Sequence, residues 1–125
     1  MTSKFYKCTI CGNIIEKIYD SGINTICCGK EMTLLVPNTT DGAQEKHVPD
    51  CKREGNTLTV QIGSAPHPMI EEHYIMWIAV EQDGFMQRKA LHPNEEPVRV
   101  FTINDGPATV YEYCNLHGLW AAKVD

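Results

Sequence analysis

The sequence predicts an all-β protein in two parts, a small metal-stapled module followed by an antiparallel sandwich or barrel. Three observations predict it. Four of the six cysteines fall early in the 125-residue chain, at positions 8, 11, 27 and 28, in a stretch with no helical period. The segment 37–43, PNTTDGA, carries no apolar periodicity and reads as a linker. Beyond it, short β-branched or aromatic runs recur at roughly regular spacing without helical segments between them.

In chain order, the first part shows brief β-like runs at Ile14-Ile15, Ile18-Tyr19 and 32–36, with Gly12, Gly22 and Gly29 supplying turns. A segment this short needs a metal, a disulfide or a partner to hold it together. From residue 44 the pattern is all-β. Residues 57–62 alternate polar and apolar, and 98–103 nearly do. Residues 74–80 form a denser apolar run containing Trp77, and 109–113 and 119–124 complete the set. The tetrapeptide Glu81-Gln82-Asp83-Gly84 predicts a hairpin turn.

The formal net charge of −5 argues against general binding to nucleic acid or anionic membranes. No apolar run approaches the roughly 20 residues that span a bilayer. The start, MTSKFYKC, has no apolar secretory core. The expectation is a cytoplasmic protein, where clustered cysteines bind metal more often than they pair. Charge is uneven, about +1 over residues 1–36 and −6 over the remainder, which suits two docked units or a partner-facing surface.

Cys8-x2-Cys11 is a chelating arm, a tight turn that points two thiolates at one ion. Cys27 and Cys28 complete a four-thiolate set. Adjacent side chains on an extended strand point to opposite faces, so both reach one metal only if the backbone bends sharply, and Gly29 permits that. A structural zinc ribbon and a disulfide pair are the alternatives, and spacing does not choose between zinc and iron.

All five histidines lie after residue 46. His47 precedes Val48-Pro49, His67 sits between Pro66 and Pro68, and His73 opens the run 73–77. Cys114 and His117 form a second chelating pair, Cys-Asn-Leu-His-Gly. Taken singly, each histidine is as well explained as a solvated or core imidazole. The Cys114-x2-His117 spacing is what lifts the set above that reading. His92, in a polar turn, reads as a surface residue. Cys51, between Asp50 and Lys52, reads as a partly exposed thiol in a loop.

These residues together resemble the desulfoferrodoxin family, the two-iron class of superoxide reductases. The resemblance is carried by Cys8-x2-Cys11-x15-Cys27-Cys28, Glu45-Lys46-His47-Val48-Pro49, His67-Pro68-Met69-x3-His73-Tyr74-Ile75 and Cys114-Asn115-x-His117-Gly118. It covers nearly the whole chain. It implies a desulforedoxin-like, rubredoxin-type module over 1–37, with one iron in a distorted tetrahedral site of Cys8, Cys11, Cys27 and Cys28. It implies a seven-stranded immunoglobulin-like sandwich over 38–125. There a second iron is held by His47, His67, His73 and His117 in a plane, with Cys114 axial and the sixth position open when ferrous. The implied reaction joins superoxide, one electron and two protons into hydrogen peroxide. The implied electron donor is a rubredoxin, and the implied assembly a homodimer. His92 and Cys51 fall outside the motif.

One-electron chemistry requires a redox metal, which zinc is not. Four neutral imidazoles and one thiolate leave ferrous iron with about one net positive charge, favourable for an anion. The axial thiolate pushes electron density through the metal, and backbone amides over 115–118 are candidates to tune it. Lys46 is expected to guide the anion and to orient water for proton delivery. The resemblance implies that Glu45 occupies the sixth position after oxidation. Glu112, two residues before Cys114, is a further candidate, bonding the loop that carries Lys46. Two competing readings remain: a non-catalytic iron protein that relays electrons, and a zinc-stabilised binding module on the same scaffold.

Overall fold

In the computed structural model, residues 3–40, 42–65 and 67–125 are described; Asp41 of the expected linker and Pro66 of the expected proline-bracketed loop lie outside them. The chain separates into two compact units, Met1–Val36 and Pro37–Asp125.

The first unit is built from very short strands. β1 (Phe5–Lys7) pairs antiparallel with β2 (Ile14–Glu16) and with β5 (Thr33–Leu34), while β3 (Ile26–Cys27) and β4 (Lys30–Glu31) form a separate hairpin. Its buried apolar residues are Phe5, Cys8 and Met32. So small a core makes a cross-link by metal the reasonable source of its stability. Ile18-Tyr19, read as β-like from sequence, is instead exposed chain between strands. Its apolar character serves no core within the unit.

The second unit is a two-sheet antiparallel sandwich of seven strands. The sheet of β6 (Pro49–Glu54), β7 (Thr57–Ile62) and β10 (Val98–Thr102) has the order β10-β7-β6. The sheet of β8 (Ile75–Gln82), β9 (Phe85–Ala90), β11 (Ala108–Cys114) and β12 (Gly118–Val124) has the order β12-β11-β8-β9. Alternation sets the packing: Leu58, Val60 and Ile62 of β7 and Phe101 of β10 meet Ile78 and Val80 of β8 and Val110 of β11 in one core. Asp83 and Gly84, both with positive φ (50° and 79°), close the expected β8–β9 hairpin as a two-residue turn.

Three differences from the sequence expectation have physical causes. β6 reads as a polar loop because its outward positions are charged, yet Pro49 and Cys51 face inward. Cys51 therefore lies in a strand packed against the core, and burial pushes its thiol up to about 11. β9, FMQRKA, lacks alternation because it is an edge strand. Its unpaired edge and that of β10 are closed by side chains: Gln87 donates to the Thr102 carbonyl, Lys89 to that of Val100, and Arg99 to that of Ala90. Finally, residues 44–47 form one helical turn, α1 (Gln44–His47), where the sequence suggested only β structure. Val48 is extended ahead of Pro49, which stops the helix.

α1 is too short to persist alone. It is held by Ala65 N–H and Ser64 Oγ, both donating to the Glu45 carbonyl, and by Gly63 N–H donating to Val48. Gly63 has φ +80°, and a Cβ there would meet the Glu45 carbonyl and Lys46 Cα at 2.7 Å and the Ala65 carbonyl at 2.5 Å. Gly84 has a similar φ with open space around it. Gly63→Ala should therefore cost roughly 2 kcal/mol or more, against about 1 kcal/mol for Gly84→Ala. Urea unfolding of both variants tests this, and equal losses would refute the proposed clamp on α1.

Candidate metal centres

In the first unit, β1 leads into a knuckle. Cys8 N–H donates to Asn13 O (2.8 Å), Gly12 N–H to Cys8 O (2.9 Å), and Cys11 N–H points at Cys8 Sγ (3.4 Å). The other arm is the β3–β4 hairpin, whose two turn residues, Cys28 and Gly29, both have positive φ (53° and 72°). This resolves the adjacency of Cys27 and Cys28. The bend uses Cys28 itself in the left-handed region as well as Gly29. The four sulfurs lie within 4.8 Å of one another, with Cys11 and Cys27 Sγ 3.6 Å apart. A tetrahedral ion with metal–sulfur bonds near 2.3 Å requires about 3.8 Å between sulfurs, whereas a disulfide requires about 2.05 Å. Backbone N–H groups of Cys11 and Ile10 bring Cys8 down to about 6, while the neighbouring sulfurs, Cys11 first, push Cys28 up to about 12. Four thiolates this close need a cation among them.

In the second unit, His47 is the last residue of α1, His67 lies in the segment after β7, and His73 stands just before β8, in a bridge with Ile70. Cys114 ends β11 and His117 lies in the turn to β12. A register shift between Tyr113 and Cys114 places Cys114 opposite Ile75. The shift skips Met76 on β8, while pairing with β12 stays in register through Cys114 opposite Gly118, so the thiol keeps the inward face of Val110 and Glu112. Asn115 ties the two sides together, accepting from Tyr74 N–H (2.9 Å) and donating to the Glu72 carbonyl (3.0 Å).

The donor atoms of His47, His67, His73, His117 and Cys114 fall within 4.8 Å of one another. Neighbouring imidazoles in the ring 47–67–73–117 have centroids 4.6–4.9 Å apart and are steeply inclined. His47 and His73 face each other across it at 6.4 Å. His47 Nδ1–H donates to the Ala43 carbonyl (2.7 Å) and His67 Nδ1–H to that of Pro68 (2.6 Å). These bonds leave the Nε2 lone pairs pointing inward. The two Nε2 atoms are 3.1 Å apart, and His47 Nε2 lies 3.0 Å from His117 Nδ1. His47 and His67 thus face each other acceptor to acceptor, and both distances match the spacing of cis ligands on a metal with bonds near 2.1 Å. His73 Nε2 is buried without a partner. The residues fit a metal.

Burial favours the neutral form that ligation requires in three of these imidazoles. It lowers His47 and His73, and pushes His67 down to about 4. The Lys46 charge adds a smaller push in the same direction on His47 and His73. Burial raises the Cys114 thiol, and the amides of Leu116 and His117 oppose that, in the stretch expected to tune the sulfur. Cys114 is fully buried whereas His73 and His117 are partly exposed, so the centre opens to solvent on the histidine side.

Glu45 and Lys46 are exposed, and the Glu45 carboxylate is not among the clustered donors. His92 is exposed in its turn, as expected. Glu112 departs from the expectation. It lies on the core face of β11, opposite Ile78 and Trp120, and both its oxygens lack hydrogen-bond partners. It does not bond the Lys46 segment, and burial raises its carboxyl well above the usual range. Trp120 and the Ala43 and Pro68 carbonyls were missed from sequence. Only the latter two are beyond any residue-type signal, since a carbonyl belongs to every residue.

Unfolding returns His67 to its ordinary value near 6.5. Between about pH 6.5 and 4 the unfolded chain binds a proton that the folded site refuses. In metal-free protein this group should therefore lower stability as pH falls through that window, by up to about 1.4 kcal/mol per pH unit. Glu112 acts in the opposite sense, because its unfolded form ionises as pH rises. The test is thus the urea stability of wild type minus that of His67→Gln, measured at pH 4.5 and 7. A difference independent of pH would refute it.

The family model described as "Desulfoferrodoxin, N-terminal domain" matches residues 1–35, and the "Desulfoferrodoxin" model matches residues 39–123. A "Desulfoferrodoxin homolog" of Archaeoglobus fulgidus is 48% identical over 92% of this chain and 92% of its own. A desulfoferrodoxin of Syntrophotalea carbinolica is 45% identical over 94% of each. The crystal structure of the superoxide reductase from Treponema pallidum superposes with a TM-score of 0.78 at 28% identity, covering 98% of this chain and 99% of that one. With both family models matched in order and both donor clusters assembled, the chain belongs to the desulfoferrodoxin family.

Proposed function

We propose that this protein is a superoxide reductase, in which superoxide, one electron and two protons give hydrogen peroxide. The observation that carries the reading is the convergence of four imidazoles and one buried thiol, their donor atoms within 4.8 Å of one another and His73 Nε2 buried without a partner. His47, His67, His73, His117 and Cys114 would hold an iron, which would supply one-electron reducing power tuned by the thiolate. Cys8, Cys11, Cys27 and Cys28 would hold a second iron, which would staple the small unit.

The chain's own residues do the rest. Lys46 follows Glu45 on α1, beside His47, and its charge is felt at His47 and His73. An exposed cation here concentrates a small anion at the open, histidine side and orders water for proton delivery. A pure electron relay would need neither an exposed cation nor an opening. Glu45, on the same helical turn, would offer an exchangeable carboxylate to the oxidised iron.

A rubredoxin-like one-electron carrier is the proposed donor, and the cytoplasm the proposed compartment, because the thiol clusters require reducing conditions. A homodimer is proposed through the first unit, where Ile18 (93% exposed), Tyr19 (83%) and Ile23 (74%) have no cover within the unit. Sedimentation should give twice the 14.1 kDa chain mass, and a monomer would refute the dimer.

Metal analysis should find two irons per chain, and a superoxide pulse should change the visible spectrum of the histidine centre alone. Colourless protein containing zinc would overturn the assignment. Lys46→Ile should slow the bimolecular reaction with superoxide and flatten its dependence on ionic strength, whereas an unchanged rate and salt slope would remove the guiding role. Glu45→Ala should leave reduction fast and alter the spectrum of the oxidised protein. Reduced rubredoxin should restore the starting spectrum in each case.

A further inference from the structure

We infer that Trp120 is a positioning residue of the histidine–cysteine centre, holding two neighbouring ligands, His47 and His117, at the same time. The inference rests on the metal reading above. Trp120 lies on β12, 1% exposed, and its indole stacks on the His47 ring with centroids 5.0 Å apart and planes inclined by 24°. Its Nε1–H donates to the His117 carbonyl at 3.0 Å. The other side of this arrangement is Gly42. A Cβ there would meet Trp120 Cζ2 at 3.2 Å, His47 Cε1 at 3.3 Å and His117 Cβ at 3.4 Å. Gly42 has no positive φ to explain its identity, so the close approach of these three side chains explains it.

The two ligands need different kinds of support, and Trp120 supplies both. His117 presents Nδ1, the ring nitrogen nearer the backbone, so any shift of its peptide moves the donor atom almost one for one. A hydrogen bond to its carbonyl fixes that lever. His47 presents Nε2, at the far end of the ring, and its Nδ1 is already tied to Ala43. What remains free is tilt about that bond, and a flat aromatic surface against one ring face limits it. Trp120 thereby couples the ligand on α1 to the pair on the β11–β12 turn, two segments far apart in sequence.

A core-filling indole would need only its volume. Trp120→Phe keeps an aromatic face and removes the N–H, and Gly42→Ala presses on the stack while leaving Trp120 in place. Both are tested in the full, iron-loaded chain with ferrozine as chelator. The four-cysteine iron serves as internal reference. Iron release from the histidine centre should be about 10-fold faster in Trp120→Phe, in the range seen when groups supporting metal ligands are removed. The visible band of the oxidised histidine centre should shift in both variants, while the four-cysteine spectrum stays fixed. Wild-type release and an unshifted band in both variants would overturn the inference, even if thermal stability fell. Failure of the wild type to hold iron at the histidines would instead overturn the metal reading beneath it.

Discussion

Lone pairs aimed at one another across about 3 Å are the constraint on which the second unit is organised. The backbone carbonyls of Ala43 and Pro68 take the Nδ1 protons of His47 and His67, and this fixes both rings with acceptors inward. Their Nε2 atoms, 3.1 Å apart, face each other as two acceptors. Holding this arrangement requires scaffolding stiff enough to resist mutual repulsion before a cation arrives, and the sandwich provides it. The ligands come from one helical turn, two stretches flanking β7 and β8, and the β11–β12 turn. Each is clamped by hydrogen bonds to a neighbour that is distant in sequence.

The first unit meets the same constraint with less structure. Its apolar core is very small, and its strands are two or three residues long. Two tight turns, one at Cys8–Gly12 and one at Cys28-Gly29, bring the sulfurs together. Here a metal would take the place of a core, and the turn residue Cys28 takes up a backbone conformation that residues other than glycine rarely adopt.

Much of this was legible in the sequence. Chelating pairs are local, so Cys8-x2-Cys11 and Cys114-x2-His117 stand out without a fold. Strands with clean alternation, such as β7, stand out for the same reason. Edge strands do not: β6 carries charge on exposed positions and reads as a loop, although it pairs along its whole length with β7, and β9 shows no alternation to mark it. The helical turn α1 was hidden because tertiary hydrogen bonds, not propensity, hold it. Glu112 was placed on the correct face of β11, but its partner was misjudged. Sequence reveals which residues share a strand face, whereas what packs against that face depends on sheets brought together by the whole chain. Trp120 was invisible as a site residue because an indole in a strand is most simply explained as core.

The unbroken alternation of β11 from Val110 to Cys114 carries an evolutionary consequence. One strand, β11, contributes Val110 to the core, buries Glu112 on the same face, and ends on a metal ligand. Substitutions along it are local events. A gained or lost residue is not, because it would exchange inward and outward faces and turn the sulfur away from the histidines. Length in this strand is therefore inherited as one block with the centre, and variation in chain length should accumulate in turns that neither the core nor the ligands share.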